Sequence, residues 1–372
     1  MKKIFLCLIL ICLILTGCGK RDKKEVLKEF QNKVEGADSY YLSGVMELVN
    51  NEDLYTYNIA VSYEKEDHYK IELTNVINNH EQVILRNEEG VYIITPSLNK
   101  SFKFQSDWPY NNSQVYLLAS LLDDIMNDEG YLFEENKDGY VFTSTVNYPN
   151  NEKLVNQKVY FGKDYLPTKV EVMDADGIVQ IKMVFDKIDL KTEFNDTYFD
   201  LNSILDTEGE VTGNNNNDNS STNDKTTNED SNTQSGTTNE TQEPSDNSSN
   251  TTGDTKETAT IDDIIYPMYL PVNTYLTNQE RVSTEDGERL ILTFTGDKSF
   301  VLVEETVTYS DTPEIIPTYG SVELIGSSLA VINDNSANWF DNGIEYYIVS
   351  DTMEASELLQ VVKSISVLPV SK

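Results

Sequence analysis

A strongly polar stretch in the middle of the chain, residues 207–260, limits what this sequence can fold into. It consists mainly of Asn, Ser, Thr, Asp, Glu and Gly, with almost no apolar side chains. Such a stretch cannot bury enough apolar surface to offset the entropy of ordering its backbone, so we expect it to be disordered. The 372-residue chain is therefore predicted to fold as two independent pieces, 25–206 and 261–372, joined by a flexible acidic linker.

The N-terminus has the pattern of a lipoprotein signal peptide. Lys2 and Lys3 precede an apolar run at 4–15, which is shorter than the roughly 20 residues of a membrane-spanning helix. The block Leu-Thr-Gly-Cys that ends at Cys18 resembles the lipobox of bacterial lipoproteins, in which the cysteine receives a diacylglycerol and becomes the new N-terminus after cleavage. The resemblance implies a signal peptide at 1–17, lipidation at Cys18 and a lipidated tether at 18–24. The alternative is an ordinary secretory peptide in which Cys18 is incidental.

The charge and the cysteine content exclude several classes of function. The chain has 28 Lys and Arg against 63 Asp and Glu, a net charge of −35, and so large an acidic excess repels nucleic-acid phosphates. All three cysteines lie within the first eighteen residues. Cleavage before Cys18 would leave no free thiol, which excludes thiol catalysis, cysteine-based zinc sites and disulfides in the mature chain.

Hydrophobic periodicity in the first piece predicts a mainly β structure with helices. Val26, Phe30 and Val34 recur at helical spacing before Gly36, and a second apolar helix is predicted at 115–126. Short segments rich in aromatic and β-branched residues, separated by Asn- or Gly-containing turns, predict an antiparallel meander. The predicted strands are 40–48, 54–63, 69–76, 81–85, 91–95, 101–105, 140–146, 154–161, 168–173 and 179–185.

The second piece is predicted to be a smaller α+β domain. Its C-terminal part, 356–365, has apolar residues at helical spacing. The predicted strands are 289–295, 299–307, 321–324, 328–333 and 343–349.

The residues that usually carry chemistry form no recognisable constellation. The only imidazoles, His68 and His80, have a spacing that fits no metal-ligand pair, and we expect both in exposed loops. The segment 174–177 partly resembles a calcium loop, but its Asp-Gly pair favours a hairpin turn. No phosphate loop, dinucleotide fingerprint or nucleophile elbow is present. The sequence therefore predicts no catalytic, cofactor-binding or metal-binding residue, and no enzyme.

Aromatic side chains are abundant, with 22 Tyr and 13 Phe. Alternate residues of a strand point to opposite faces of a sheet, so one aromatic face could line an apolar cavity. The simpler interpretation is that these side chains form the core. The strand tyrosines concerned are Tyr40, Tyr41, Tyr55, Tyr57, Tyr63 and Tyr92.

Two stretches resemble the extracytoplasmic LolA-like lipoproteins of spore-forming Firmicutes. They are 83–126, which includes GVYIITPSLNKSFKFQSDWP, and 164–201, which includes Leu166-Pro167-Thr168-Lys169 and the Asp-Gly hairpin. The resemblance implies a LolA-like unclosed antiparallel half-barrel at 25–206 with helices in its concave face. Residues 261–372 are similar to a small C-terminal domain of unknown function found in Firmicutes surface and sporulation proteins.

These observations predict a non-catalytic lipoprotein on the outer face of the cytoplasmic membrane. The resemblance implies that the half-barrel binds a partner protein, such as a spore cortex or cell-wall enzyme, in sporulation, germination or another envelope process. The first alternative is a lipid or lipoprotein carrier that binds acyl chains in the cavity. A cell-wall hydrolase with paired carboxylates and an envelope-stress sensor are further alternatives from other classes of function.

Overall fold

The computed structural model describes residues 21–51, 53–105, 112–209, 259–285 and 287–365. The predicted signal peptide, Cys18 and most of the predicted linker lie outside these residues. Below, 21–209 is called the N-terminal segment and 259–365 the C-terminal segment. In the ranges described, no helix has the length and apolar character needed to cross a membrane.

The described residues form four α-helices and nineteen strands. The helices are α1 (Lys23–Glu35), α2 (Leu118–Asn127), α3 (Leu201–Gly209) and α4 (Ala355–Lys363). The strands of the N-terminal segment are β1 (Ser39–Asn50), β2 (Asp53–Glu64), β3 (His68–Asn75), β4 (Glu81–Asn87), β5 (Gly90–Thr95), β6 (Lys100–Phe104), β7 (Leu132–Glu135), β8 (Tyr140–Thr145), β9 (Asn156–Phe161), β10 (Pro167–Met173) and β11 (Val179–Asp189). The strands of the C-terminal segment are β12 (Thr274–Ser283), β13 (Glu288–Gly296), β14 (Phe300–Thr306), β15 (Glu314–Thr318), β16 (Ser321–Ile325), β17 (Ser328–Ile332), β18 (Ser336–Asp341) and β19 (Ile344–Val349).

Local sequence explains the helix that opens the fold. Asp22 accepts the Lys24 N–H and caps α1, and the helix ends at Gly36, as the sequence predicted. Its side chains Val26 and Phe30 are fully buried, so the predicted apolar stripe is the face that packs on the sheet.

Twelve strands of the described residues form one open sheet, antiparallel except for the parallel edge pair β15–β6. Its order is β15-β6-β5-β4-β3-β2-β1-β11-β10-β9-β8-β7, and the edge strands β15 and β7 are not paired with each other. Helices α1 and α2 pack with apolar residues of one face, called the inner face. The opposite face of β4 and β5 is covered by residues at the start of α3, including Leu201 and Leu205. The predicted fold class, mainly β with an unclosed half-barrel, is confirmed.

The C-terminal segment contains a second, seven-stranded sheet of order β12-β13-β14-β19-β18-β17-β16 among the described residues. Helix α4 buries Leu358, Leu359, Val361 and Val362 in the core of this segment. The predicted strands and helix are present, and β12, β15 and β18 are additional.

The two segments are joined by backbone pairing and a shared core. Strand β15 pairs in parallel with β6 and forms the edge of the first sheet. Phe340 stacks on Phe102 with 5.0 Å between ring centroids, and the Leu329 N–H donates to Gln82 Oε1 at 2.5 Å. The division into domains at 25–206 and 261–372 stays a prediction, to which the structure adds this extensive contact.

Candidate binding cavity

A cavity of about 820 Å³ lies between the inner face of the first sheet and the C-terminal segment. This volume is within the range of ligand sites in proteins, roughly 300–1,000 Å³. The aliphatic side chains that line it are Met46, Leu48, Val49, Leu73, Ile84, Val115, Leu154, Ile181, Val322, Leu324, Leu329 and Leu359. Because both segments contribute, the cavity depends on the contact between them.

The cavity lies at one end of the strands of the first sheet. Its lining includes the β1–β2 turn with Asn50 and Asn51, the β8–β9 connection with Asn150, and Asp174 of the β10–β11 turn. Pairing of Leu48 with Ile181 and of Thr145 with Asn156 puts these turns at the same strand ends. This end of the half-barrel is called the cavity end.

The cavity wall also carries polar and charged groups. Asn150 Nδ2 donates to Glu323 Oε1 at 2.8 Å and to Ser321 Oγ at 2.8 Å. Burial raises the pKa of Glu323, while the Lys363 ammonium and the Asn150 amide oppose that rise. Burial lowers the pKa of Lys363, and Glu323 opposes this change. The wall therefore presents a carboxylate and an ammonium together with an apolar floor.

Helix α4 is held at the cavity end through its last residue. The Lys363 carbonyl oxygen accepts hydrogen bonds from Asn50 Nδ2 at 3.1 Å and from Asn51 Nδ2 at 3.2 Å. These bonds satisfy a carbonyl that the helix itself leaves free. They also position the Lys363 side chain in the cavity wall.

The carboxylate pair Asp123-Asp124 has a structural arrangement. Ser113 Oγ donates to Asp124 Oδ1 at 2.8 Å, and Gln157 Nε2 donates to Asp124 Oδ2 at 3.0 Å. Burial raises the pKa of Asp124 to about 6 against these two bonds. Asp123 is exposed beside it. Both oxygens of Asp124 thus connect α2 to β9 and to the segment that precedes α2.

The two histidines differ from the sequence expectation. His68 begins β3 and stacks on Phe199 with 5.7 Å between ring centroids, and His80 lies in the β3–β4 turn. Both are half-buried and not exposed, and His68 lies in a strand instead of a loop. Burial lowers the pKa of His80. No group of three or more His, Cys, Asp or Glu side chains able to hold a metal ion occurs in the described part of the chain.

The Asp-Gly segment is the predicted hairpin turn. Asp174 Oδ1 accepts the N–H groups of Asp176 and Ile178, and Asp174 Oδ2 accepts from Gln180 Nε2. Gly177 has a φ of 79°, which favours glycine. The carboxylate oxygens that a calcium loop would use therefore stabilise the turn.

The strand tyrosines belong mainly to the core. Tyr40, Tyr55, Tyr57 and Tyr92 are each about 1% exposed. The tyrosines that line the cavity are Tyr116, Tyr148 and Tyr269. Tyr116 lies in the segment before α2, Tyr148 in the β8–β9 connection and Tyr269 in the loop before β12. Sequence reasoning also missed Glu323 and Lys363, because no local motif connects residues that meet only through the contact between the segments.

Comparison with curated proteins decides the family. Sporulation protein YdcC of Bacillus subtilis (strain 168) is 31% identical over 359 residues, which cover 96% of this chain and 94% of that protein. The chain belongs to the family of this sporulation protein. No protein-family model matches the chain.

Solved structures show weaker likenesses. The complex of Pseudomonas aeruginosa MucA and MucB includes a chain that is 12% identical, with a TM-score of 0.31 and coverage of 91% of this chain and 98% of that one. The complex of the Clostridioides difficile CwlD amidase with the GerS lipoprotein includes a chain that is 18% identical, with a TM-score of 0.28 and coverage of 48% and 98%. A putative outer membrane lipoprotein-sorting domain from Vibrio parahaemolyticus is 15% identical, with a TM-score of 0.30 and coverage of 49% and 97%. The strand order and open edges, and not these low scores, establish the half-barrel.

Proposed function

We propose that this protein is a non-catalytic lipoprotein, anchored through Cys18 on the extracytoplasmic face of the cell membrane, whose half-barrel binds a partner protein during sporulation. The partner class we favour is an enzyme of the spore cortex or cell wall. Family membership supports a role in sporulation, and the lipobox-like block before Cys18 supports the anchor.

The mixed wall of the cavity is the observation that carries the proposal of a protein partner. Its floor is apolar, yet Glu323, Lys363 and Asn150 also face it. Buried charges are costly unless they are paired or hydrogen-bonded. A protein segment brings side-chain and backbone polar groups as well as apolar ones, so it can satisfy both parts of the wall.

The alternative function, transport or protection of acyl chains, is favoured by the apolar floor. Met46, Leu73 and Ile84 on the inner face are each about 2% exposed and line the cavity. An acyl chain would fit this floor but would offer no polar group to the part of the wall that carries Glu323 and Lys363. That difference makes the two functions separable by experiment.

The anchor is tested by the substitution Cys18→Ser in sporulating cells. We expect the wild-type protein to incorporate a palmitate label and to sediment with membranes, because two acyl chains anchor a protein stably. The variant should lose both properties. Membrane attachment that persists without label incorporation would contradict lipidation at Cys18.

The occupant of the cavity is tested with the anchored protein purified from sporulating cells in mild detergent. We expect a defined protein partner and no stoichiometric lipid. Leu48→Trp places a large ring in the cavity and should release the partner, whereas Leu132→Trp, on exposed β7, is the matched control. Recovery of stoichiometric lipid that Leu48→Trp displaces, with no protein partner, would support the acyl alternative instead.

A further inference from the structure

The start of the described chain lies at the end of the half-barrel opposite the cavity. The Arg21 backbone N–H donates to Glu135 Oε2 at 3.1 Å, and Glu135 pairs with Tyr140 at the start of β8. Strand β8 ends at Thr145, which is the cavity end. Strands β8 and β9 each have six residues. At about 3.3 Å per residue, the Arg21 end and the cavity end are therefore separated by roughly 17 Å.

The predicted anchor is close to Arg21 in sequence. Cys18 precedes Arg21 by three residues, which span at most about 11 Å when fully extended. Lipidation at Cys18 would therefore bring the membrane to the Arg21 end of the half-barrel. The cavity end would then be the end of the half-barrel farther from that membrane.

Several exposed apolar side chains lie at the cavity end. Leu54 is 55% exposed and pairs across the β1–β2 hairpin with Val49, which lines the cavity. Ile178 is 59% exposed in the β10–β11 turn. The third part of this surface is the loop with Met268, Tyr269 and Leu270, which are 89%, 39% and 38% exposed.

A hydrogen bond to the residue after Lys363 holds this loop beside the cavity. The Met268 N–H donates to the Ser364 carbonyl oxygen at 3.2 Å, directly after the cavity-lining Lys363, and Tyr269 itself lines the cavity. The five residues Leu54, Ile178, Met268, Tyr269 and Leu270 are called the apolar collar. Exposed apolar side chains grouped around a cavity are typical of interaction surfaces.

The charge around the collar is predominantly acidic. The cavity lining and the adjoining β10–β11 turn carry four acidic side chains and two lysines. The acidic residues are Glu152, Asp174, Asp176 and Glu323, and the lysines are Lys153 and Lys363. The whole chain carries a net charge of −35. An acidic surface attracts cationic partners and repels anionic ones, including acidic lipid headgroups.

We propose that the apolar collar is a docking surface, directed away from the anchoring membrane, for a protein segment that presents apolar side chains flanked by Lys or Arg. This inference rests on the proposed function and specifies the partner's chemistry. Apolar residues of the partner contact the collar and extend into the cavity. Its cationic residues lie opposite Glu152 and Asp176.

The first test places a photo-crosslinking residue in the full-length anchored protein in sporulating cells. One version carries it at 268, in the collar, and the control carries it at 132, where Leu132 is 63% exposed on the edge strand β7 and does not line the cavity. We expect position 268 to crosslink to one protein, at a segment with apolar and basic residues, and position 132 not to crosslink to it. Crosslinks from 268 to membrane lipid would overturn the proposed orientation.

The second test measures binding of that purified protein to the double variant Met268→Ser/Leu270→Ser and to the control Leu132→Ser. We expect at least a tenfold rise in Kd for the double variant, no more than a twofold change for the control, and weaker binding as salt increases. Ile178→Ser, in a separate turn, should also weaken binding. A partner that crosslinks elsewhere and binds the variants normally would contradict the docking role of the collar and leave the proposed function standing. The absence of any protein crosslink at either position would contradict the proposed function as well.

Discussion

At the scale of single residues, Glu304 shows most clearly how burial sets a charge state in this protein. Its side chain is 0% exposed, and its Oε1 and Oε2 accept the Ile265 N–H at 3.2 and 3.4 Å. Burial raises its pKa to about 7, although the Ile265 hydrogen bond and the Arg281 guanidinium oppose the rise. The Glu304 carboxyl group therefore holds the backbone at Ile265 against β14. Its burial at the same time disfavours the ionised form.

The pH dependence of stability follows from that raised pKa. Glu304 binds a proton more readily in the native state than in the unfolded state. Its contribution to the free energy of unfolding is therefore fully present below about pH 4.5 and is lost as the pH rises through about 7. The full effect is at most about 3 kcal/mol. Glu304→Gln keeps an acceptor for Ile265 without the charge, so it should raise the free energy of unfolding at pH 8 and change it little at pH 4.5.

Denaturant unfolding of wild type and Glu304→Gln at the two pH values checks this expectation. Glu357→Gln, on the partly exposed surface of α4, is a control for removing an acidic charge. Equal destabilisation by Glu304→Gln at both pH values would show that a lost hydrogen bond, and not the charge, dominates.

At the scale of elements, strand β1 is shaped by a glycine at a close approach. The pairing of β1 with β11 is irregular between Ser43 and Gly44. A Cβ at Gly44 would lie 2.1 Å from the Val184 carbonyl oxygen, a backbone atom that cannot move without shifting β11. Gly44 thus allows the two central strands of the half-barrel to approach closely.

Gly44→Ala should destabilise the protein by about 1–3 kcal/mol, the range for an added methyl group in a packed interior. Gly177→Asn is the control, since no atom lies within 4 Å of a Cβ there and Asn tolerates a positive φ. Thermal or denaturant unfolding measures both. A Gly44→Ala protein as stable as wild type would show that β11 shifts freely.

The success of sequence reasoning depended on the element. Helix α1 was predictable because its cap, its stripe with Val26 and Phe30, and its terminal Gly36 agree locally. Strand β12 was not predictable, because nine of its ten residues are exposed and its sequence shows no alternation of buried and exposed positions. Strand β15 contains Pro317, which opposes a strand prediction, and it is stabilised by pairing with distant β6.

The candidate site was less predictable than the fold. The apolar floor follows from the inner face of the half-barrel, which the sequence pattern indicated. The wall residues Glu323 and Lys363 face Asn150 only because the C-terminal segment packs over the strand ends. Contacts of this kind carry no local pattern in a sequence.

At the scale of the whole molecule, the two segments share one core. Leu329, Val331 and Phe340 of the C-terminal segment lie in the same apolar cluster as α1, α2 and the first sheet. Gln82, 3% exposed on β4, connects them by accepting the Leu329 N–H. The cavity exists only while this contact holds.

Gln82→Ala should loosen the contact, because it leaves the buried Leu329 N–H without its acceptor at a cost of about 1–3 kcal/mol. Hydrogen exchange should then become faster in β16–β18 and at the cavity wall. Gln31→Ala, which removes an exposed hydrogen bond to Glu35, is the matched control. Unchanged exchange in β16–β18 would mean that β15 and the aromatic contacts alone hold the segments together.

The central claim, that the cavity of an anchored protein receives a protein partner, is tested most directly by crosslinking from inside its wall. Gln360 is exposed on α4 and lines the cavity, so a photo-crosslinking residue at this position samples the occupant without disturbing the core. In sporulating cells we predict an adduct with a single protein, lost in the Leu48→Trp variant. Adducts that contain only acyl lipid would contradict the claim.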